Sequence, residues 1–282
     1  MMKSGSYFIS REKFSLFMKG AAMNNEEGVY VFFETDAGVA KLLPPPLALA
    51  SPETPLGYIY IVNIKEPTFA PWYMEGGLGV TARYGEQVGI YFFSLQLSGP
   101  GALMGAFSGR EGSGLPKKLC DKIVVERIED SAHAFIERHS VRLVDVELEI
   151  GKYNDPGMDV MQAGKALGAE EQGGCLLHKY QMGGKSGITN MSLIYYDSPT
   201  VYHTWEPATA AVRLASSVDD PWAEIPVVRV LGGAYSINSN RVTNVYELKA
   251  YTDEEAMEVM CYLYSGRYDR CCLCKGHQHY EA

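Results

Sequence analysis

Gly109-Arg110-Glu111-Gly112-Ser113-Gly114-Leu115-Pro116-Lys117-Lys118-Leu119 is the stretch on which the reading of this chain turns. Two adjacent lysines directly follow a proline, inside an apolar and glycine-rich neighbourhood. A lysine amine is a nucleophile only after it has lost its proton. With an ordinary pKa of about 10.4, roughly one amine in a thousand has done so at neutral pH. Desolvation or a nearby cation brings that pKa down, and a lysine so activated can form an imine with a carbonyl compound. If the segment is extended, Lys117 and Lys118 point to opposite faces, so one pocket can use only one of them. Taken alone, a Lys-Lys pair is equally a solvated turn.

Outward from this stretch the chain alternates short apolar runs with turn residues. Gly28–Thr35 and Gly57–Asn63, rich in β-branched and aromatic residues, read as strands. Asp36–Leu43 allows one or two helical turns before the Pro44-Pro45-Pro46 stop. Tyr73–Val80 reads as a glycine-rich bend that carries one carboxylate, Glu75, and Gly89–Leu97 as a long apolar strand. Ile123–Ile128, Ala132–Glu137 and Val141–Ile150 form a predicted meander. Val144, Val146, Leu148 and Ile150 alternate there with Asp145, Glu147 and Glu149. Cys175–Gln181, Ile188–Tyr196, Ala208–Leu214 and Val227–Tyr235 are further strands, with Pro207, Pro221 and Pro226 in the loops between them. Helices are expected at Phe8–Met18, capped by Ser10, and at Met158–Leu167. Another should start at Thr252-Asp253-Glu254-Glu255, a capping-box pattern, and run to Tyr264. Many short strands and few short helices indicate a β-rich α+β fold, with barrel- or sandwich-like antiparallel sheets.

Composition narrows the function classes. The 282 residues are 46% hydrophobic and 21% charged, as in ordinary globular proteins, and the net charge is −9. With no clustered basic run, binding along a nucleic-acid backbone is not expected. No run approaches about 20 apolar residues, so no membrane partner is expected. Arg11, Glu12 and Lys13 fall where a signal peptide would need its apolar segment, which points to a cytoplasmic protein with reduced cysteines. Cys271-Cys272-Leu273-Cys274-Lys275-Gly276-His277-Gln278-His279 offers soft ligands, but in a spacing tighter than tetrahedral zinc sites use. It is read as an ordinary tail, and no metal is assigned. Gly109-x-x-Gly112-x-Gly114 lacks the order and the strand-to-helix setting of a phosphate loop. His178 and His203 read as structural.

At Gly109-Arg110-Glu111 and Pro116-Lys117-Lys118-Leu119, at the Thr35-Asp36 turn before the Pro-rich stop, and at Tyr73-x-Glu75-x-Gly77, the sequence resembles the acetoacetate decarboxylase family. The resemblance runs from about Gly28 to Glu247. It implies one family domain over residues 1–250, with 251–282 as a C-terminal helix and a Cys/His-rich tail. It further implies that Lys117 forms a Schiff base with a keto acid. Acetoacetate decarboxylase is itself the standing example of a lysine activated for this purpose. A protonated imine takes up the electrons left as carbon dioxide departs, so no cofactor is needed. By the same resemblance Lys118 is the electrostatic neighbour of Lys117, Glu75 handles the proton, and the protein is a homo-oligomer. Leu78, Phe92, Leu95, Leu115 and the Val227–Leu231 strand are the expected apolar lining. Two positions depart from the family pattern. Its site arginine before the Thr-Asp turn falls on Glu26, and a site glutamate falls on Tyr60. The lysine would thus survive in a pocket of changed polarity. The resemblance implies first a decarboxylase that takes a β-keto acid such as acetoacetate to acetone and carbon dioxide; the alternatives are a Schiff-base aldolase or dehydratase for another oxo acid, and a binding relative without turnover.

Overall fold

Strand-forming sequence dominates the chain, and strands dominate the computed structural model, which describes residues 6–17, 20–162, 165–183 and 187–269. In chain order the strands are β1 (Ala22–Glu34), β2 (Ala48–Leu49), β3 (Leu56–Pro67), β4 (Tyr73–Tyr84) and β5 (Gln87–Ser98). Next come β6 (Lys117–Leu119), β7 (Lys122–Ile128), β8 (Ser131–Arg138), β9 (Val141–Ile150) and β10 (Glu170–Glu171). The last are β11 (Gly174–Met182), β12 (Ile188–Asp197), β13 (Thr200–Leu214), β14 (Arg229–Arg241) and β15 (Asn244–Ala250). The α-helices are α1 (Arg11–Phe17), α2 (Ala102–Ala106), α3 (Gly157–Gln162) and α4 (Asp253–Arg267).

The strands join in one sheet, ordered β15-β12-β11-β5-β4-β3-β1-β14-β13-β9-β8-β7. Pairing is antiparallel except where β11 and β6 meet β5. The sheet folds back so that β7 and β8 lie over β3. Val29, Val31, Ile59 and Ile61 from one layer share a core with Ile136, Val144 and Val146 from the other. Burial of each such side chain contributes about 1.5–3 kcal/mol. The end strands β15 and β7 do not pair with each other, so of the two expected arrangements the sandwich-like one is present and a closed barrel is not.

Strands β1, β3, β4 and β5 are covered on both faces, which explains their nearly unbroken apolar runs. In β1, Val29, Val31 and Phe33 enter the inter-layer core. Tyr30, between them, enters a second cluster with Val62, Leu95 and Leu97. The second cluster surrounds the cavity described below.

Several elements differ from their sequence reading. Tyr73–Val80 is the first two-thirds of a continuous strand and not a bend, because its glycines let the neighbouring strands' side chains lie directly on it. A Cβ at Gly77 would stand 2.3 Å from Leu95 and 2.8 Å from Tyr60. Pro207 lies inside β13, where it pairs with Ala234; pairing to β9 begins only at Ala208, so the missing N–H interrupts no ladder bond on that side. Strand β15 had no sequence signal. Helix α3 covers Gly157–Gln162, and residues 165–167, to which it was expected to extend, are not helical. Helix α4 has the expected capping box between Thr252 and Glu255. It runs three residues past Tyr264 because its apolar face docks: Ala256, Val259 and Leu263 pack on Ile188 and Met191. Ser10 caps α1, accepting a hydrogen bond from the Lys13 N–H at 3.3 Å. The Cys271–His279 stretch lies outside the described residues.

Candidate active site

The Pro-Lys-Lys segment becomes β6 by pairing parallel to β5, with Lys117 beside Leu95 and Lys118 beside Gln96. Register alone then assigns the faces. Leu95 belongs to the apolar cluster around a cavity of about 420 Å³, and Lys117 enters that cavity with it. Gln96 is fully buried on the other face, and Lys118 follows it there. Helix α2 continues into a wider turn at Phe107–Glu111, which brings Gly109 against the lysine. A Cβ at Gly109 would lie 2.7 Å from Cε of Lys117, so this position holds no side chain. Gly114 has a φ of +79°, and a Cβ there would collide with the carbonyl of His178. The glycines of the opening motif thus seat the lysine, and Arg110 and Glu111 form an ion pair 2.9 Å apart.

The Lys117 ammonium meets a carboxylate inside the cavity: Nζ donates to Oε2 of Glu75 at 2.7 Å. Both residues are buried. The other Glu75 oxygen, Oε1, accepts from the Tyr60 hydroxyl at 2.6 Å. Glu75 reaches this position because β4 is extended, with Glu75 opposite Leu97 on β5 and Val62 on β3. Glu26 lines the same cavity. Against β14, strand β1 carries one extra residue between Met23 and Glu26, with Asn25 at a φ of 53°. Such a bulge re-aims the side chains beside it. Burial, together with the charge of Glu75 and against that of Lys117, raises the Glu26 pKa to about 8. At neutral pH Glu26 is therefore a carboxylic acid able to donate a proton. Cys175 also lines the cavity, and burial pushes its thiol up to about 12, so it stays neutral.

Lys118 donates to the Asp219 carbonyl at 2.8 Å and to Oδ1 of Asp220 at 3.2 Å, and pairs with Asp269 at 3.2 Å. Arg138 binds the same two carboxylates, at 2.6 Å and 2.9 Å. Lys118, expected as the electrostatic neighbour of Lys117, is thus outside the cavity with its charge matched by Asp220 and Asp269. His139, Asp219 and Asp269 come close enough to suggest a cation site. Lys118 and Arg138 already supply the positive charge there, so the residues do not fit a metal.

Of the expected lining, Phe92, Leu95 and Leu115 are in the cavity wall. Leu78 faces the inter-layer core instead. The Val227–Leu231 segment does not reach the cavity either: Leu231 packs with Tyr153 and Met158, and β14 contributes Asn238 in its place. Glu26 and Tyr60, which the sequence marked only as departures from a pattern, are both site residues. Tyr30, Trp205 and Lys165 were missed, since no local pattern brings β1, β13 and the segment after α3 together. His178 is structural as expected: burial lowers its pKa to about 3, and Nε2 meets the Tyr251 hydroxyl at 3.1 Å.

A family model described as acetoacetate decarboxylase matches residues 7–251. A protein of Lactiplantibacillus plantarum named CLA biosynthesis isomerase is 34% identical over 273 residues, covering 94% of this chain and 95% of that one. Among solved structures, acetoacetate decarboxylase from Legionella pneumophila superposes with a TM-score of 0.69 at 17% identity, over 82% of this chain and 88% of that one. An enduracididine biosynthesis enzyme, complexed with the condensation product of pyruvate and imidazole 4-carboxaldehyde, gives 0.58 at 11% identity, over 82% and 89%. These two likenesses show the same fold.

Proposed function

The chain belongs to the acetoacetate decarboxylase family, and from that premise we propose that it is an imine-forming isomerase, which moves a double bond of an unsaturated ketone by shifting a proton. The observation that carries this reading is the buried Lys117–Glu75 contact of 2.7 Å, with Glu26 held as an acid in the same wall. It is supported by the isomerase relative at 34% identity.

Every step uses groups of the chain. Lys117 gives a proton to Glu75 and attacks the ketone carbon; Glu75 then returns that proton to the carbinolamine hydroxyl, which leaves as water, so that a protonated imine and the Glu75 carboxylate remain. The Glu75 carboxylate then removes a proton from the carbon between the imine and the isolated double bond. The electron pair is held as a dienamine across nitrogen and carbon. Glu26 or the newly protonated Glu75 returns a proton to the far carbon of the former double bond, which leaves the new one conjugated with the imine. Water hydrolyses the protonated imine and releases the conjugated ketone and the Lys117 ammonium. One water leaves and one returns, one proton has moved, and nothing is oxidised. General acid–base transfer of this type contributes about 10²–10⁴-fold.

A β-keto acid decarboxylase is the second reading, favoured by the family. It would set the substrate carboxylate near the keto carbon, beside Glu75 and Glu26 and without a guanidinium. The like charge of Glu75 there raises the cost of binding, and on that ground decarboxylation is placed second.

The test uses a β,γ-unsaturated ketone and acetoacetate in parallel. Appearance of the conjugated-enone absorbance, with borohydride trapping of substrate on Lys117, is the expected result. Carbon dioxide from acetoacetate at a comparable rate would restore the decarboxylase. No trapped adduct with either would remove the imine from both readings.

A further inference from the structure

The cavity has a second end. Among the described residues that line it, Lys117 and Lys165 carry the positive charge. We infer that Lys165 binds the carboxylate of a substrate whose keto group sits at Lys117, the two being joined by an extended apolar chain. This inference rests on the proposed ketone chemistry and adds the substrate class.

Lys165 lies between α3 and β10. Its ammonium stands over two rings of β13, 3.5 Å from the centre of Tyr202 and 4.2 Å from that of Trp205. Its side chain is 7% exposed. Rings stabilise a cation but accept no ordinary hydrogen bond, and an ammonium has three donors. One goes to Oε2 of Glu171 at 2.9 Å. Glu171 is itself 51% exposed, and a pair with one member so far in water contributes little. A substrate carboxylate can therefore join or displace Glu171, whose own charge then returns to solvent. Burial lowers the Lys165 pKa, in keeping with an ammonium short of solvation.

Between the two lysines the wall is aromatic. Trp205, held by a 2.7 Å hydrogen bond from its Nε1 to the Tyr153 hydroxyl, lies 5.8 Å from Tyr30. Tyr30 stacks on Tyr60 at 6.4 Å, and Tyr60 meets Phe92 edge-on at 5.7 Å. The Tyr60 hydroxyl ends this row on Glu75, the partner of Lys117. The row spans six successive strands, β13-β14-β1-β3-β4-β5, and sheet neighbours are about 4.8 Å apart. A four-carbon keto acid would fill one end only. The volume of about 420 Å³ lies in the range of pockets for much larger ligands, roughly 300–1,000 Å³. Charge sorts the orientation: the Glu75 carboxylate lines the Lys117 end and is matched there by Lys117, so a substrate carboxylate is placed at the other.

The test compares Lys165→Gln, Lys165→Arg and the unaltered protein on a long-chain β,γ-unsaturated oxo acid and on its methyl ester. Loss of one charged hydrogen bond corresponds to about tenfold or more in affinity. Lys165→Gln should raise KM for the acid by that factor, with kcat little changed and the ester unaffected, and Lys165→Arg should restore the KM. Equal losses on acid and ester would overturn the inference, since Lys165 would then only hold the fold. Binding of dodecanoate, which has no ketone, is followed in parallel by tryptophan fluorescence. Dodecanoate binding weakened by Lys165→Gln upholds the anchor even if no ketone turns over. Enone formation with dodecanoate binding unchanged by Lys165→Gln defeats the anchor and leaves the ketone chemistry standing.

Discussion

Lys117 and Lys118 share a peptide bond, and both ammonium groups are buried, yet they occupy different chemistry. Lys117 projects into a cavity with one carboxylate partner, Glu75, and room beside it for a ligand. Lys118 projects the other way into a closed network with Asp219, Asp220, Asp269 and Arg138. Burial therefore does not separate a reactive lysine from a structural one. The number of fixed partners does, together with free space at the nitrogen. A lysine with one partner can pass its proton to that partner and react. A lysine with its donors committed has no contact left for a ligand, and removing it leaves carboxylates stranded.

The largest effect that could break this contrast lies at Lys117. Lys117→Met should lower turnover on the order of 10⁵-fold, as removal of a nucleophile does, while circular dichroism stays that of the native protein. Substantial residual turnover by steady-state assay would end the distinction. Lys118→Met should do the reverse. Breaking one side of a buried pair costs about 3–5 kcal/mol, here toward the lower figure because Arg138 still meets Asp220 and Asp269. Denaturant melts should show the loss, with turnover per folded molecule preserved.

A third prediction sharpens the description of the Lys117 side by pH. The Glu26 pKa is raised from 4.5 to about 8 in the folded protein. The folded state thus holds a proton that the unfolded state has released, and stability falls as pH rises through that window. The loss between pH 6 and pH 8 amounts to at most about 3 kcal/mol, at about 1.4 kcal/mol per unit. Glu26→Gln should flatten this part of the profile in thermal melts at several pH values. An unchanged slope would mean that Glu26 is ionised in the cavity. The smallest effect tests the outer support of Lys118. Asp269 follows α4, whose first turn is capped by Thr252. Thr252→Ala should cost about 1 kcal/mol, and in a double-variant cycle with Lys118→Met the two losses should fall short of additive.

Much of this contrast could be read along the chain. The Gly-Arg-Glu and Pro-Lys-Lys motifs pointed to Lys117, the Tyr-x-Glu-x-Gly motif to Glu75, and strand alternation to opposite faces for the two lysines. The capping box at Thr252 and the strands with clean alternation were legible because their causes act within a few residues. Tyr73–Val80 was misread because its glycines suggest a turn until the side chains that lie on them are known. Lys118 was given a role toward Lys117 because Asp220 and Asp269, which neutralise it, lie 102 and 151 residues further along the chain.

The sequence by itself determined a β-rich chain, the residues of its main strands, and a lysine pair set after a glycine-rich motif and a proline, since these follow from periodicity, turn residues and motifs of short span. Only the tertiary structure decided which groups face that lysine. The bulge that turns Glu26 inward depends on pairing with β14, more than 200 residues away. The aromatic row toward Lys165 exists only where β13, β14, β1, β3, β4 and β5 follow one another in a single sheet. Contacts of that length have no local signature, because they are set by which strands the folded sheet makes neighbours.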